Sequence, residues 1–163
     1  MNGITLNINS ISRTSGTPAQ FSITIPWILA YNTNYIKVLQ VIIPNNFTVV
    51  PDVIYVASDM VGGIDNGYSS LIQPILGNVN LSIIAVVPYD SSRTNTIYDG
   101  ILEHPYYRCE GTFFAGNNSN SLPQPPRVIN FALVDKTGAL ITLNSDWNIT
   151  IRCSTEIPHL HVF

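Results

Sequence analysis

Along most of this chain, apolar and polar residues alternate with a period of two, the signature of β-strands that bury one face. Ile4, Leu6 and Ile8 alternate with Thr5, Asn7 and Asn9, which predicts a first strand running into the turn-rich Ser12-Arg13-Thr14-Ser15-Gly16-Thr17-Pro18. Phe21, Ile23 and Ile25 then face one way and Gln20, Ser22 and Thr24 the other. Pro26 closes this second strand because it cannot donate to a ladder. After a turn at residues 31–34, residues 35–43 are nearly all apolar, with Lys37 and Gln40 the exceptions. A run of this kind predicts a central strand covered on both faces.

The middle of the chain is more broken. Short strands are predicted at 47–50 and 53–57, a flexible glycine-rich loop at 62–67, and a short helix over 68–76 that Pro74 would break late. Residues 81–87 form another nearly continuous apolar strand, ended by Pro88 and the polar residues after it. Further short strands are expected at 96–98 and 106–114, followed by an exposed polar and proline-rich loop at 116–126.

The most regular stretch runs from Arg127 to Cys153. Residues 128–134 are an apolar run of strand length, and Asp135-Lys136-Thr137-Gly138 is a turn in which the Asp can bond its own backbone while the Gly tolerates positive φ. A second break at Asn144-Ser145-Asp146 returns the chain once more. Trp147, Ile149, Ile151 and Cys153 then alternate with Asn148, Thr150 and Arg152. The pattern predicts a three-stranded meander with Trp147 in the core.

About nine or ten short strands with almost no amphipathic helix imply an all-β fold, sheet packed on sheet or a barrel. The first expectation is an antiparallel β-sandwich of the single jelly-roll type, with residues 1–163 as one domain. An immunoglobulin-like sandwich comes second, because Trp147 lies shortly before Cys153 instead of midway between two cysteines.

Composition changes this picture in one respect. Only 10% of the 163 residues are charged, against roughly a quarter in ordinary globular chains. The surface must therefore consist largely of Asn, Ser, Thr and Tyr, and a chain so poor in charge tends to associate. Net charge is −3, and the seven Lys and Arg residues are scattered. No basic patch is present to grip a phosphate backbone, so no direct nucleic-acid partner is expected. No apolar run approaches the length of a membrane span. The start, MNGITLNINSISR, lacks the cationic and apolar regions of a signal peptide, so folding in a cytosol is expected. Under those conditions Cys109 and Cys153 read more naturally as buried thiols than as a pair.

Candidate chemistry is sparse. His159 and His161 would share one face of a strand, as zinc ligands can, but no third ligand is evident. His104 precedes Pro105 in a turn. There is no GxSxG elbow, cysteine-protease signature, P-loop or dinucleotide fingerprint. The expectation is a non-enzyme with no catalytic, cofactor-binding or metal-binding residues and no cofactor. Four Asn-x-Ser/Thr triplets, beginning at Asn46, Asn80, Asn117 and Asn148, are what an Asn-rich composition produces by chance. The aromatic pairs Tyr106-Tyr107, Trp27-Tyr31 and Tyr89-Tyr98 could stack on sugar rings, although core or interface packing is the commoner use. They leave a carbohydrate- or receptor-binding sandwich as the alternative function.

Two stretches carry a family resemblance. SISRTSGTPAQFSITIP followed by YIKVLQVIIPNNFTVV resembles the start of small β-rich capsid proteins of eukaryotic double-stranded DNA viruses and their relatives, including virophages and Polinton-like elements. INFALVDKTGALITLNSDWNITIRC is similar to the ending of such proteins, and IYVASDMVGG with SSLIQPI fits more loosely. Together these cover about half the chain. The resemblance implies a jelly-roll virion subunit, either a penton protein at the five-fold vertices or another minor capsid component. It also implies assembly through side-by-side contacts between copies, with a homopentamer as the expected form and the major capsid protein as a further partner. Such a protein is made in the host cytoplasm and resides in the virion.

Overall fold

The computed structural model describes residues 3–25, 35–60, 81–99, 107–108 and 127–154. Their regular elements are the strands β1 (Gly3–Asn9), β2 (Ser15–Thr17), β3 (Gln20–Ile25), β4 (Tyr35–Pro44), β5 (Val53–Ser58), β6 (Ser82–Pro88), β7 (Asn95–Asp99), β8 (Tyr107–Arg108), β9 (Arg127–Val134) and β10 (Asn148–Ser154), with one 3-10 turn at Ser10–Ser12. The predicted helix at 68–76, the loops at 62–67 and 116–126, and most of the strand expected at 106–114 lie outside the described residues.

Two antiparallel sheets pack face to face. One has the order β1-β10-β4-β7, with β8 on the start of β4, and the other has the order β2-β3-β9-β5-β6. If the short β2 and β8 are set aside, every consecutive pair of strands changes sheet except the β5–β6 hairpin. This interleaving is the jelly roll and not the immunoglobulin order.

Alternation in the sequence becomes alternation in burial. Phe21, Ile23 and Ile25 of β3 oppose Phe131, Ile129 and Arg127 of β9 in register, and the core also takes Ile36, Val38, Val41 and Ile43 from β4. Trp147 joins the two sheets at one end. It is 1% exposed and meets Phe21 and Phe131 edge-on, with ring centroids 5.8 and 6.3 Å away, while the two Phe rings stack at 5.3 Å. A smaller apolar group of Ala57, Leu81, Ala132 and Val134, with Tyr55 against it, is also buried. Tyr55, Ala57, Ala132 and Val134 are paired across β5 and β9 on the face of that sheet turned away from the main core.

Three expectations need correction. The stretch from Arg127 to Cys153 is not a three-stranded meander, because β9 and β10 lie in different sheets. Its first hairpin is real but brief, with a single bridge Val134↔Leu140 and Ile141 N–H donating to the Leu133 carbonyl at 3.0 Å. The chain then arches across the end of the sandwich. Ile141, Leu143 and Trp147 turn inward while Leu140, Thr142 and Asn144 stay outside, so the period of two persists where no ladder exists. Alternation reports which side is buried and not which strand is next door.

Residues 47–50 likewise form no strand, only the bridge Phe47↔Leu143. The third correction concerns β4, which is central in its sheet but is not covered on both faces. Its even run of apolar residues alternates between buried and half-buried positions, and the register shifts opposite Thr150/Ile151, so that Leu39 is passed over. β6 is the strand where a continuous apolar run does mean double coverage, with Ser82 to Ala85 all buried.

Candidate functional site

Four connections meet at one end of the sandwich: β1 to β3, β4 to β5, β6 to β7 and β9 to β10. Hydrogen bonds tie them into a single crown. Asn9 caps the 3-10 turn by accepting from Ile11 N–H at 2.9 Å. Ser10, fully buried, donates its N–H to the Trp147 carbonyl at 2.9 Å and accepts from Trp147 N–H at its Oγ at 3.0 Å. The same hydroxyl donates to Asp146 Oδ1 at 2.8 Å, and Arg13 Nη1 donates to that oxygen at 2.7 Å and to the Ser10 carbonyl at 2.9 Å. Trp147 Nε1 completes the junction by donating to the Pro18 carbonyl at 2.7 Å. Gly16, at φ 100°, lies within β2 opposite Phe21, just before the Pro18-Ala19 turn of the β2–β3 hairpin. A Cβ there would run into the Gln20 carbonyl oxygen.

On the other side of the crown, Asn45 donates through Nδ2 to the carbonyls of Asp90 and Arg93 and accepts from Thr96 Oγ1 at 2.6 Å. Asn144 N–H donates to the Asn46 carbonyl, and Thr48 N–H to the Thr142 carbonyl. Asp135 behaves as its position in the turn predicts. Its Oδ1 accepts from Thr137 N–H, Thr137 Oγ1 and Ala139 N–H, and Gly138 stands at φ 84°. The Thr137 hydroxyl, followed by those amides, holds the Asp135 carboxyl below the usual carboxylate range.

Between residues 49–53 and 135–142 lies a cleft of about 330 Å³. Its rim is apolar, with Val49 69%, Val50 59% and Leu140 39% exposed, and Lys136 Nζ stands 3.3 Å from Asp52 Oδ2 across it. Among the described residues no aromatic ring, histidine or cysteine lines this cleft, and its Asp135 is already committed to the turn.

Asp59, beyond the end of β5, is an acid displaced toward neutrality. Burial raises its pKa above the ordinary value, against hydrogen bonds from Asn130 N–H at 2.9 Å and Asn130 Nδ2 at 2.6 Å that lower it. Asn130 Oδ1 in turn accepts from Ser22 Oγ. The chain Ser22, Asn130, Asp59 superficially resembles a catalytic relay, but an amide oxygen cannot take the hydroxyl proton, so Ser22 is not activated. Sequence reading missed this cluster, because its members come from β3, β9 and the turn after β5, and only strand pairing brings them together.

The candidate residues from sequence divide cleanly. Cys153 is buried at 2% exposure. Tyr98 is buried in the core, and Tyr89 packs edge-on against Phe47 at 5.9 Å, so those two do not form an open stacking platform. Asn46 donates to Ser145 Oγ at 2.7 Å, and Asn148 lies in β10. Trp27, Tyr31, His104, Tyr106, Cys109, His159 and His161 lie outside the described residues, as do Asn80 and Asn117. Among the described residues no group of three His, Cys, Asp or Glu side chains could hold a metal ion, and no helix is long and apolar enough to cross a membrane. No protein-family model matches the chain, and no curated protein matches its sequence.

Proposed function

We propose that this chain is a structural subunit of a virion shell, a penton or minor capsid protein of a double-stranded DNA virus or a related element. One observation carries the reading. Ser10-Ile11-Ser12-Arg13 and Ser145-Asp146-Trp147, short pieces of the two stretches that bear the sequence resemblance, are far apart in the chain and meet in one partly buried hydrogen-bond junction of a jelly roll. A motif pair that builds the scaffold itself, with no reactive group in it, suits a protein whose work is to be a rigid block. The low charge supports the same reading, since flanks that contact neighbouring copies need few charges. The expected assembly is a ring of copies, five at a vertex, with the major capsid protein around it.

The test is the native mass of the purified chain, with electron microscopy of the same sample. A ring or shell fragment is the expected result, and a strict monomer at high concentration overturns the proposal. A carbohydrate-binding sandwich is the second reading, favoured only by the cleft at the crown. Jelly rolls also serve as lectins, but among the described residues this cleft offers no ring on which a sugar could stack. Binding on a glycan array, lost when Val50 is replaced by Asp, would favour it over the shell subunit.

A further inference from the structure

We infer that β1 is a pairing edge for the β1 strand of a second copy of this chain, the two running antiparallel about a two-fold axis at Leu6. β1 ends its sheet and among the described residues is paired on one side only, by β10, in unbroken register from Gly3↔Ser154 to Asn9↔Asn148. An unpaired strand edge is a template for another strand, and proteins normally protect it with lysine, proline, a bulge or a cover. Among the described residues β1 has none of these. Gly3–Asn9 contains no charged residue and no proline, the register shows no shift, and Thr5 and Asn7 are exposed. The other edges differ. β2 is three residues long, β6 is buried along most of its length, and β7 is shorter than β1 and ends on an acidic residue.

The sequence of the edge selects its occupant. Ile4-Thr5-Leu6-Asn7-Ile8 has the same apolar and polar order in both directions about Leu6. Antiparallel pairing centred there places Ile4 against the partner's Ile8, Thr5 against the partner's Asn7 and Leu6 against its own copy. Apolar residues then meet apolar ones on the core side, and amide meets hydroxyl outside. On the two-fold axis a charge would face its own copy, which is costly in a sheet, and β1 has the uncharged Leu6 there. Ile4 is 39% exposed at this flank, although its alternate neighbours Leu6 and Ile8 are buried. A second strand would cover it. The pairing is isologous, whereas a ring requires head-to-tail contacts, so it does not rest on the shell reading.

The test uses the full chain and charge pairs in register. Thr5→Glu with Asn7→Glu places like charges opposite each other twice, and Thr5→Glu with Asn7→Lys places opposite charges there. The carboxylate that Thr5→Glu introduces is tolerated within its own sheet, because the neighbour of Thr5 on β10 is Arg152. The expected results are a dimer dissociation constant raised about tenfold or more in the first variant and no weakening in the second, with equal melting temperatures excluding misfolding. As a second arm, Thr5→Cys with Asn7→Cys should give a disulfide-linked dimer under oxidation, as should a mixture of the two single variants, while either single variant alone should behave as the unsubstituted chain does. Cross-linking of one single variant by itself, or equal association of both charge variants, overturns the pairing. If rings or shells form with a mass indifferent to either charge variant, the pairing fails and the shell reading stands.

Discussion

Replacing Trp147 by Ala removes a buried side chain at the crown, where the chain entering β10 of one sheet packs on Phe21 and Phe131 of the other. The indole is 1% exposed, lies edge-on against Phe21 and Phe131, and donates from Nε1 to the Pro18 carbonyl at 2.7 Å. Truncating a buried Trp costs about 3–5 kcal/mol through lost transfer energy and the cavity left behind. The Pro18 carbonyl adds little to this, because Pro18 is half-exposed and water can take the place of the indole N–H. In a chain of this size each kcal/mol moves the melting temperature by roughly 2–4 °C, so a fall of roughly 6–20 °C in a far-ultraviolet circular dichroism melt is expected. Trp147→Phe separates packing from the hydrogen bond. It keeps an aromatic ring in the slot and loses the donor, at a cost of about 1–2 kcal/mol. An unchanged midpoint for Trp147→Ala would refute the packing argument, and equal losses in both variants would show that the hydrogen bond outweighs the ring contacts.

Gly16→Ala forces a side chain into the left-handed region and against the Gln20 carbonyl, and should cost about 1–3 kcal/mol in urea denaturation. Asp146→Ala deprives Ser10 Oγ and Arg13 of their shared acceptor. Because the Arg13 and Asp146 side chains are 29% and 31% exposed, the cost should sit near the low end of about 1–3 kcal/mol, while Asp146→Asn, which keeps an acceptor for Ser10, should lose less. Asp59 has its folded pKa raised by burial, so the fold favours its protonated form. The stability tied to Asp59 is present below its unfolded pKa and is lost as pH rises through the folded value. Asp59→Asn removes that dependence, and its stability relative to the natural chain should improve from acidic to neutral pH. A constant difference across that range would show that the carboxyl is not desolvated. Asp135 acts in the opposite sense, since its lowered pKa makes its contribution present at neutral pH and lost as pH falls.

What could be read from the chain alone was local: which residues face inward and where the chain turns. Phe21, Ile23, Ile25, Trp147, Ile149, Ile151 and Cys153 are all buried, as their alternation requires, and Asp135 with Gly138 makes the turn that their chemistry predicts. These features were legible because side-chain direction in an extended chain and the φ preferences of single residues are short-range properties. Partner choice was not. Nothing in residues 139–153 announces that the chain leaves one sheet and crosses to the other, because an arch over a core shows the same alternation as a ladder. The continuous apolar runs of β4 and β6 looked alike and ended in different surroundings. Ser10 meets Asp146 only where the ends of two sheets close on a common core, and Ser22 meets Asn130, which meets Asp59, only through pairing of distant strands within one sheet. Facing belongs to the strand, but neighbours belong to the sandwich, since strand pairing is fixed by which buried faces fit together once the whole core is assembled.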